Sequence, residues 1–496
     1  MEDGGDRDAV RARAQGDLRF FLELARETGE LEVIAGADPD LEMGALYELS
    51  LEQEDPPVLL FEAMRGCDTR HRIVANVRSA LLFQEGQGLE RVQSYRRQRK
   101  KKHEPVAPRF VNSGPVLENV LRGDAVDVAR FPAPKWHAGD GGNYIGTECV
   151  IVTKDPDSDW VNLGTYRVQV QDAKTLSVSI EPGKDGDRIR RKYWAMGKPC
   201  PMAISVGQAP ILGEVAASTY GHHVSEYAIA GGRIGRPIEL VQGEVTGLPI
   251  PADAELVFEG FMPPPEEEAR DEGPFGEWPG YYGSNIRPQP VLRVAAIYHR
   301  DDPIVVAQPP AKPTKPGTYY GTAGTALLRA ANLWDELEAA GVPGIKGVWK
   351  LPGGGPRLIN VVAIEQLHAG HAKMAGLVAT GCGGAAFFGR ITIIVDADID
   401  ITKPEEVMWA LATRWDPKSQ TDIIEGCWSG YIDPLLPPGK RETGDVTNSR
   451  LILYAVRPFH WKDEFPKVNA VDPAYAEKVR AKWLDKLAFL GERGGR

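Results

Sequence analysis

Glu148-Cys149-Val150-Ile151-Val152-Thr153, followed by Val161 to Gln171 and Leu176 to Ile180, is the stretch that decides the fold. Each segment is short, rich in β-branched residues and bounded by Asp/Pro/Ser or Asp/Ala/Lys turns, the pattern of consecutive strands. Cys200 to Val206, Ile238 to Val245, Glu255 to Phe261 and Val291 to His299 continue it, with one helical segment near Val224 to Ala230. Many short strands on short loops predict a barrel-like β domain able to carry a ligand, placed at residues 113–315.

Both flanks switch to alternating helices and strands. Upstream, Asp17 to Thr28 and Leu41 to Gln53 have helical rhythm, and Pro57 to Phe61 and Arg72 to Val77 read as strands. They predict an N-terminal α/β domain over 1–112, closed by the basic run Arg96 to His103, itself a solvated linker or helix end, or else a contact for an anion or nucleic acid. Downstream, helices at Thr325 to Ala340, Ala372 to Thr380 and Pro404 to Arg414 alternate with strands at Ile345 to Leu351, Leu358 to Ile364 and Ile391 to Asp396. That is α/β grammar again, over 316–475. Pro473 to Leu490 is amphipathic, with Val479, Trp483, Leu484 and Leu487 along one side. We read 476–496 as an oligomerisation helix of a homo-oligomer, dimer or hexamer. The expected fold class is mixed α/β, in several domains, as a chain of 496 residues requires.

With 58 basic against 69 acidic residues the net charge is -11, which argues against a general nucleic-acid binder. Cys67, Cys149, Cys200, Cys382 and Cys427 lie far apart without C-x-x-C spacing, so neither a disulfide framework nor a cysteine zinc site is expected, and a reducing cytoplasm is the simplest setting. The start Met1 to Asp6 is acidic rather than a basic segment followed by an apolar one, so no leader is expected, and no apolar stretch approaches the roughly 20 residues of a membrane helix.

The chemistry concentrates in Glu272-Gly273-Pro274-Phe275-Gly276-Glu277, followed by Trp278-Pro279-Gly280-Tyr281-Tyr282-Gly283. Two close carboxyl groups cannot both ionise freely, so the less solvated one can carry a proton near neutral pH. On its own the segment reads as an acidic surface turn or as an acid/base device; the aromatics favour a turn lining a cleft. Asn162, Arg167, Asp185 and Glu226 are polar residues in apolar surroundings and need partners. Asn162, Asp185 and Glu226 offer three oxygen ligands suited to Mg2+ or Mn2+, or else make ordinary hydrogen bonds and salt bridges. A straight strand would point Asn162 and Arg167 to opposite faces; a bulge at Gly164 would bring them together.

Asn162-Leu163-Gly164-Thr165-Tyr166-Arg167, Pro182-Gly183-Lys184-Asp185, Gly197 to Pro201, Glu226 before Ala230-Gly231-Gly232, and Glu272 to Glu277 resemble, in order, the motifs of the UbiD-type decarboxylases. Val395 to Asp400 and Val407 to Arg414 extend the resemblance, which runs from about Leu31 to the last helix. It implies a central split-β-barrel flavin-binding domain and prenylated FMN, supplied by a flavin prenyltransferase. The implied activity is reversible decarboxylation of an aromatic, heteroaromatic or α,β-unsaturated carboxylic acid. It also implies a manganese ion against the cofactor phosphate, with potassium nearby. The manganese ligands fall on Asn162, Asp185 and Glu226, with an aspartate where the family usually has histidine. Lys184, Arg188 or Arg190 would offset its charge; Thr165, Tyr166 and Lys184 fall among the implied cofactor contacts, with Ser218, Thr219 and Tyr220 along the same cleft. Arg390 lies where a phosphate-binding lysine is common. The resemblance makes Arg167 the partner of Glu272 and the orienting group for the substrate carboxylate, and Glu277 the proton donor. Trp278, Tyr281, Leu435 and Leu436 are candidates for the substrate pocket. The alternative is a non-catalytic subunit or binding protein whose cofactor site Asp185 has impaired.

Overall fold

Ten antiparallel strands form the sheet on which the site is built. Along its path lie Tyr144–Gly146, Arg167–Asp172, Thr175–Ser179, Arg287–His299, Leu256–Met262, Cys200–Ser205, Val150–Lys154 and Val161–Gly164, with Asn119–Arg122 and Ala269–Glu272 added beside Arg287–His299. This computed structural model describes residues 3–77, 86–100, 104–218, 220–221, 223–283, 286–318, 326–484 and 486–487.

The strands Val161–Gly164 and Arg167–Asp172 are neighbours in sequence yet lie at or next to opposite ends of that path. Three residues reach at most about 11 Å, so the sheet must curl until its ends nearly meet, a half-barrel. Thr165 and Tyr166 carry the chain across the gap. The single strand expected over Val161 to Gln171 is therefore corrected to two. The break needs Gly164, because a Cβ there would stand 2.6 Å from the Tyr166 ring.

A second sheet takes Leu31–Ala35, Val58–Glu62 and Arg72–Ala75 from the start of the chain and Ile304–Ala307 from beyond the half-barrel, the last pairing parallel to Arg72–Ala75. The C-terminal sheet runs Ile345–Lys350, Ile359–Ile364, Ile391–Asp396, Thr447–Ala455 and Thr421–Trp428, parallel in its centre and antiparallel at both edges. The mixed α/β class with a curled β domain between α/β regions is thus the one the chain adopts.

Helix Leu18–Glu27 starts where expected, because the Asp17 carboxylate accepts from the Arg19 and Phe20 amides, and it buries Leu18, Phe21, Leu22 and Ala25. The described part of the basic run ends a helix, Gly88–Lys100, in which Arg96 donates to Asp335 at 2.8 Å and pairs with Glu338 at 2.7 Å. Lys101, Lys102 and His103 lie outside the described residues, as do Thr325 and Leu490. Helices Asp185–Ala195 and Pro210–Ala216 were not anticipated. Arg457–Arg496 forms a second unit, whose helix Pro473–Trp483 leaves Val479 and Trp483 partly exposed. Among the described residues no helix is long and apolar enough to cross a membrane.

Candidate active site

The turn after Ala269–Glu272 is clamped on several sides. That strand pairs with Arg287–His299 and delivers Glu272 into the interior. The Gly273 amide donates to Gln169 Oε1 at 3.2 Å, the Gly141 amide to the Pro274 carbonyl at 2.8 Å, and the Gly276 amide to Asp140 Oδ1 at 3.3 Å. Phe275 is buried with its ring centre 4.2 Å from that of Tyr144. This is a held, buried turn and not a solvated acidic loop. Gly141 is part of the clamp: a Cβ there would sit 1.8 Å from the Gly273 carbonyl oxygen. Gly141→Ala is expected to destabilise the protein by about 1–3 kcal/mol through forced backbone displacement, read from the midpoint of a urea melt.

Arg167, the first residue after the gap, closes the turn. Its Nε and Nη2 donate to the two Glu272 oxygens at 2.7 and 2.9 Å, a bidentate fork, and its Nη1 donates to Glu277 Oε1. Tyr144 donates to Glu272 Oε1 at 2.9 Å. Burial pushes the Glu277 carboxyl up to about 7; Arg167 pulls it down, Glu181 and Glu272 push it further up, and Arg287 opposes them. For Arg167 burial favours the neutral form, but Glu277 and Glu272 prevail and hold it charged. The network thus contains one carboxyl able to carry a proton at neutral pH and one fixed by three hydrogen bonds.

A cavity of about 360 Å³ is lined by Asn162, Thr165, Tyr166, Lys184, Asp185 and Glu226, six of the residues singled out from sequence, and also by Trp278, next to Glu277. Asn162 is buried and donates to Thr153 Oγ1 at 3.4 Å. Asp185 opens helix Asp185–Ala195, with Arg188 Nη1 3.3 Å away, and Glu226 opens helix Glu226–Ile234 after the Ser225 cap. Glu226 Oε2 is buried without a hydrogen-bond partner among the described residues. Burial raises its carboxyl to about 7; its own amide and that of Leu163 lower it, and Asp185 raises it. A buried carboxylate oxygen lacking a donor, on a wall shared with a second carboxylate and an amide oxygen, fits a hard cation. Among the described residues no group of three or more His, Cys, Asp and Glu side chains is arranged for a metal; the candidate set is two carboxylates and one amide.

Other expected residues are placed differently. Arg390 is absent from the cavity lining and donates to both Asp433 oxygens, at 2.7 and 2.6 Å. Arg190 donates to Asp187 at 2.7 Å, whereas Arg188 lines the cavity. Ser218 and Tyr220 line it; Thr219 lies outside the described residues. Of the pocket candidates, Trp278 lines this cavity, while Tyr281, Leu435 and Leu436 do not. Arg329, Arg357, Phe387, Phe388 and Trp428, which the sequence reading missed, do line it. The available signal was Arg329, a lone cation within the apolar helix Ala326–Ala339. Burial and the neighbours Arg357 and Arg329 lower Lys184 to about 8, and burial lowers Arg329 to about 10.

The buried network of Arg167, Glu272 and Glu277 is absent from the cavity lining itself, but it adjoins the lining residues Tyr166 and Trp278 in the chain, on a β half-barrel. Residues 109–313 match the family model described as the 3-octaprenyl-4-hydroxybenzoate carboxy-lyase Rift-related domain, and residues 324–455 match the C-terminal domain of that carboxy-lyase. A pyrrole-2-carboxylic acid decarboxylase of Pseudomonas aeruginosa is 32% identical over 95% of this chain and 98% of its own. The UbiD-class enzyme HmfF from Pelotomaculum thermopropionicum, solved in complex with FMN, superposes with a TM-score of 0.81 at 29% identity, covering 95% of this chain and 100% of its own. An evolved dimeric form of HmfF, solved in complex with prFMN, gives 0.76 at 28% identity over 95% and 98% of the two chains. The chain belongs to the UbiD family and is a carboxy-lyase.

Proposed function

We propose that the protein reversibly removes CO2 from an aromatic or heteroaromatic carboxylic acid with prenylated FMN as cofactor, and that Glu277 supplies the proton that replaces CO2. The observation that carries this reading is the buried Glu277 carboxyl, raised to about 7 and held by Arg167, the two residues being chain neighbours of Trp278 and Tyr166 in the cavity lining. The decarboxylase of P. aeruginosa, whose named substrate is a heteroaromatic acid, and the FMN and prFMN complexes of HmfF support it.

The bound cofactor would accept the electron pair released as the carbon–carbon bond breaks. Asn162, Asp185 and Glu226 would hold Mn2+ or Mg2+ against its phosphate, with K+ nearby, and Thr165, Tyr166 and Lys184 would line its cleft. Arg167, immobilised by its fork to Glu272, orients the reacting carboxylate. Glu277 delivers its proton to the carbon from which CO2 departs and recovers one from water. Domain boundaries near 112, 315 and 475 accompany this reading. So does a homo-oligomer formed through the Val479, Trp483 and Leu484 face, for which Trp483→Glu should shift the sedimentation profile toward monomer.

The test is protein co-produced with a flavin prenyltransferase, assayed for CO2 release from a panel of aromatic and heteroaromatic acids. Cofactor-loaded enzyme that releases none from any of them would sink the proposal. Asp185→Ala should weaken FMN binding in the presence of Mn2+ by tenfold or more, about 1.4 kcal/mol, measured by flavin fluorescence. Unchanged affinity would remove Asp185 from the cation set.

A further inference from the structure

The loop from His137 to Gly141 grips the acid turn from the side away from Arg167. Asp140 divides its two oxygens: Oδ1 accepts from the Gly276 amide at 3.3 Å, and Oδ2 accepts from the His137 amide at 2.9 Å. The His137 ring itself lies against the turn, since a Cβ on Gly276 would stand 3.6 Å from Nδ1. Gly276 is the residue before Glu277.

The other side of the ring meets a different part of the chain. His137 Nε2 lies 2.9 Å from Glu48 Oε1, on helix Glu42–Ser50. A carboxylate only accepts, so Nε2 carries a hydrogen. A neutral ring would then leave Nδ1 as a bare lone pair. Yet Nδ1 is buried, makes no hydrogen bond among the described residues, and stands 3.6 Å from Asp140 Oδ2. A lone pair facing a carboxylate is repelled and a second N–H is attracted, so the surroundings fit an imidazolium. Burial opposes that charge, but the hydrogen bonds and charges of Asp140 and then Glu48 prevail and raise the ring above the ordinary 6.5. Two further ionisable groups stand around this pair. Lys315 Nζ lies 3.2 Å from Glu48 Oε2 and 3.8 Å from Glu52 Oε1, and the Tyr282 ring packs on Gly139, where a Cβ would stand 2.5 Å from it.

We infer that His137, held as an imidazolium between Glu48 and Asp140, is a positioning residue for the acid turn: it fixes the Asp140 carboxylate under the Gly276 amide and with it the place of Glu277. The catalytic consequence rests on the proton-donor role proposed above for Glu277. The clamp itself does not.

A glutamine amide can still donate to Glu48 but cannot take up a proton, so His137→Gln isolates the charge. In the FMN-loaded protein, hydrogen exchange in the peptide spanning residues 272–283 should be about fivefold faster in His137→Gln and in Glu48→Gln than in the wild type. In the wild type, the His137 imidazole resonance, identified by its absence from the His137→Gln spectrum, should titrate above 6.5, and Glu48→Gln should lower that value. With prenylated FMN, His137→Gln should lower kcat by about tenfold to a hundredfold while KM and flavin content stay within about twofold. The fall in rate near pH 7 should also move down toward the ordinary carboxyl value of 4.5, because a loosened turn admits water to Glu277. A histidine that only supports folding would lower the midpoint of a urea melt and leave that pH profile in place. Wild-type His137 titrating at or below 6.5, or unaltered exchange of the turn in both variants, overturns the inference whether or not the enzyme turns over. Faster exchange with kcat and the pH profile unmoved, in protein that releases CO2, also overturns it. CO2 from no acid sinks the proposed function instead, and exchange and titration still decide this inference.

Discussion

Glu277→Gln is expected to lower turnover by about 10²- to 10⁴-fold while the flavin remains bound. Glutamine keeps the size and a hydrogen bond to Arg167 but has no transferable proton. Burial places the wild-type carboxyl at about 7, so the proton-loaded form dominates below that pH and is depleted above it. The rate of decarboxylation should therefore fall as pH rises through about 7, and this limb should vanish from whatever residual rate the variant keeps. Unaltered CO2 release by Glu277→Gln, with cofactor content checked by absorbance, would remove Glu277 from the proton-donor role. The same shift has a stability consequence. The folded state binds the Glu277 proton more tightly than the unfolded state, whose carboxyl has the ordinary value of 4.5. The contribution is complete below that value and is lost as pH rises from there through about 7, on the order of 3 kcal/mol.

Arg167→Met should cost about 3–5 kcal/mol of folding stability, and activity with it. The substitution leaves Glu272, which is 1% exposed, and Glu277 side by side without the guanidinium that both oxygen pairs face. Chemical denaturation at pH 8 reads the cost. The double variant Arg167→Met with Glu277→Gln should recover part of it, because one of the uncompensated carboxyls is gone. A loss below about 1 kcal/mol in the single variant would mean that the pair behaves as an exposed surface bridge.

Elements governed by local pattern were legible in the sequence. Helix Pro404–Arg414 begins at a proline in its first turn, and strand Ile391–Asp396 is a run of five β-branched residues closed by Asp396; both occur at the expected residues. Elements governed by distant partners were not. Val161 to Gln171 reads as one strand interrupted at most by a bulge at Gly164, and it divides because its halves pair at different ends of the sheet. The basic helix Gly88–Lys100 looks like a solvated run until Asp335 and Glu338 meet Arg96. In the site, Arg167 and Glu272 stand 105 positions apart, and only the ordered motifs connected them. Arg357 carries no local signal at all, since its significance comes from the Phe387 ring beside it.

The parallel pairing of Arg72–Ala75 with Ile304–Ala307 sets a schedule for the nascent chain. The first three strands of that sheet leave the ribosome early, yet the fourth follows only after the whole half-barrel has been translated. At about 5–20 residues per second, the edge of Arg72–Ala75 waits on the order of ten seconds or longer for its partner. During that interval it is an unpaired strand edge of the kind chaperones shield, so yield in a heterologous host should depend on chaperone supply more than on the stability of the finished enzyme.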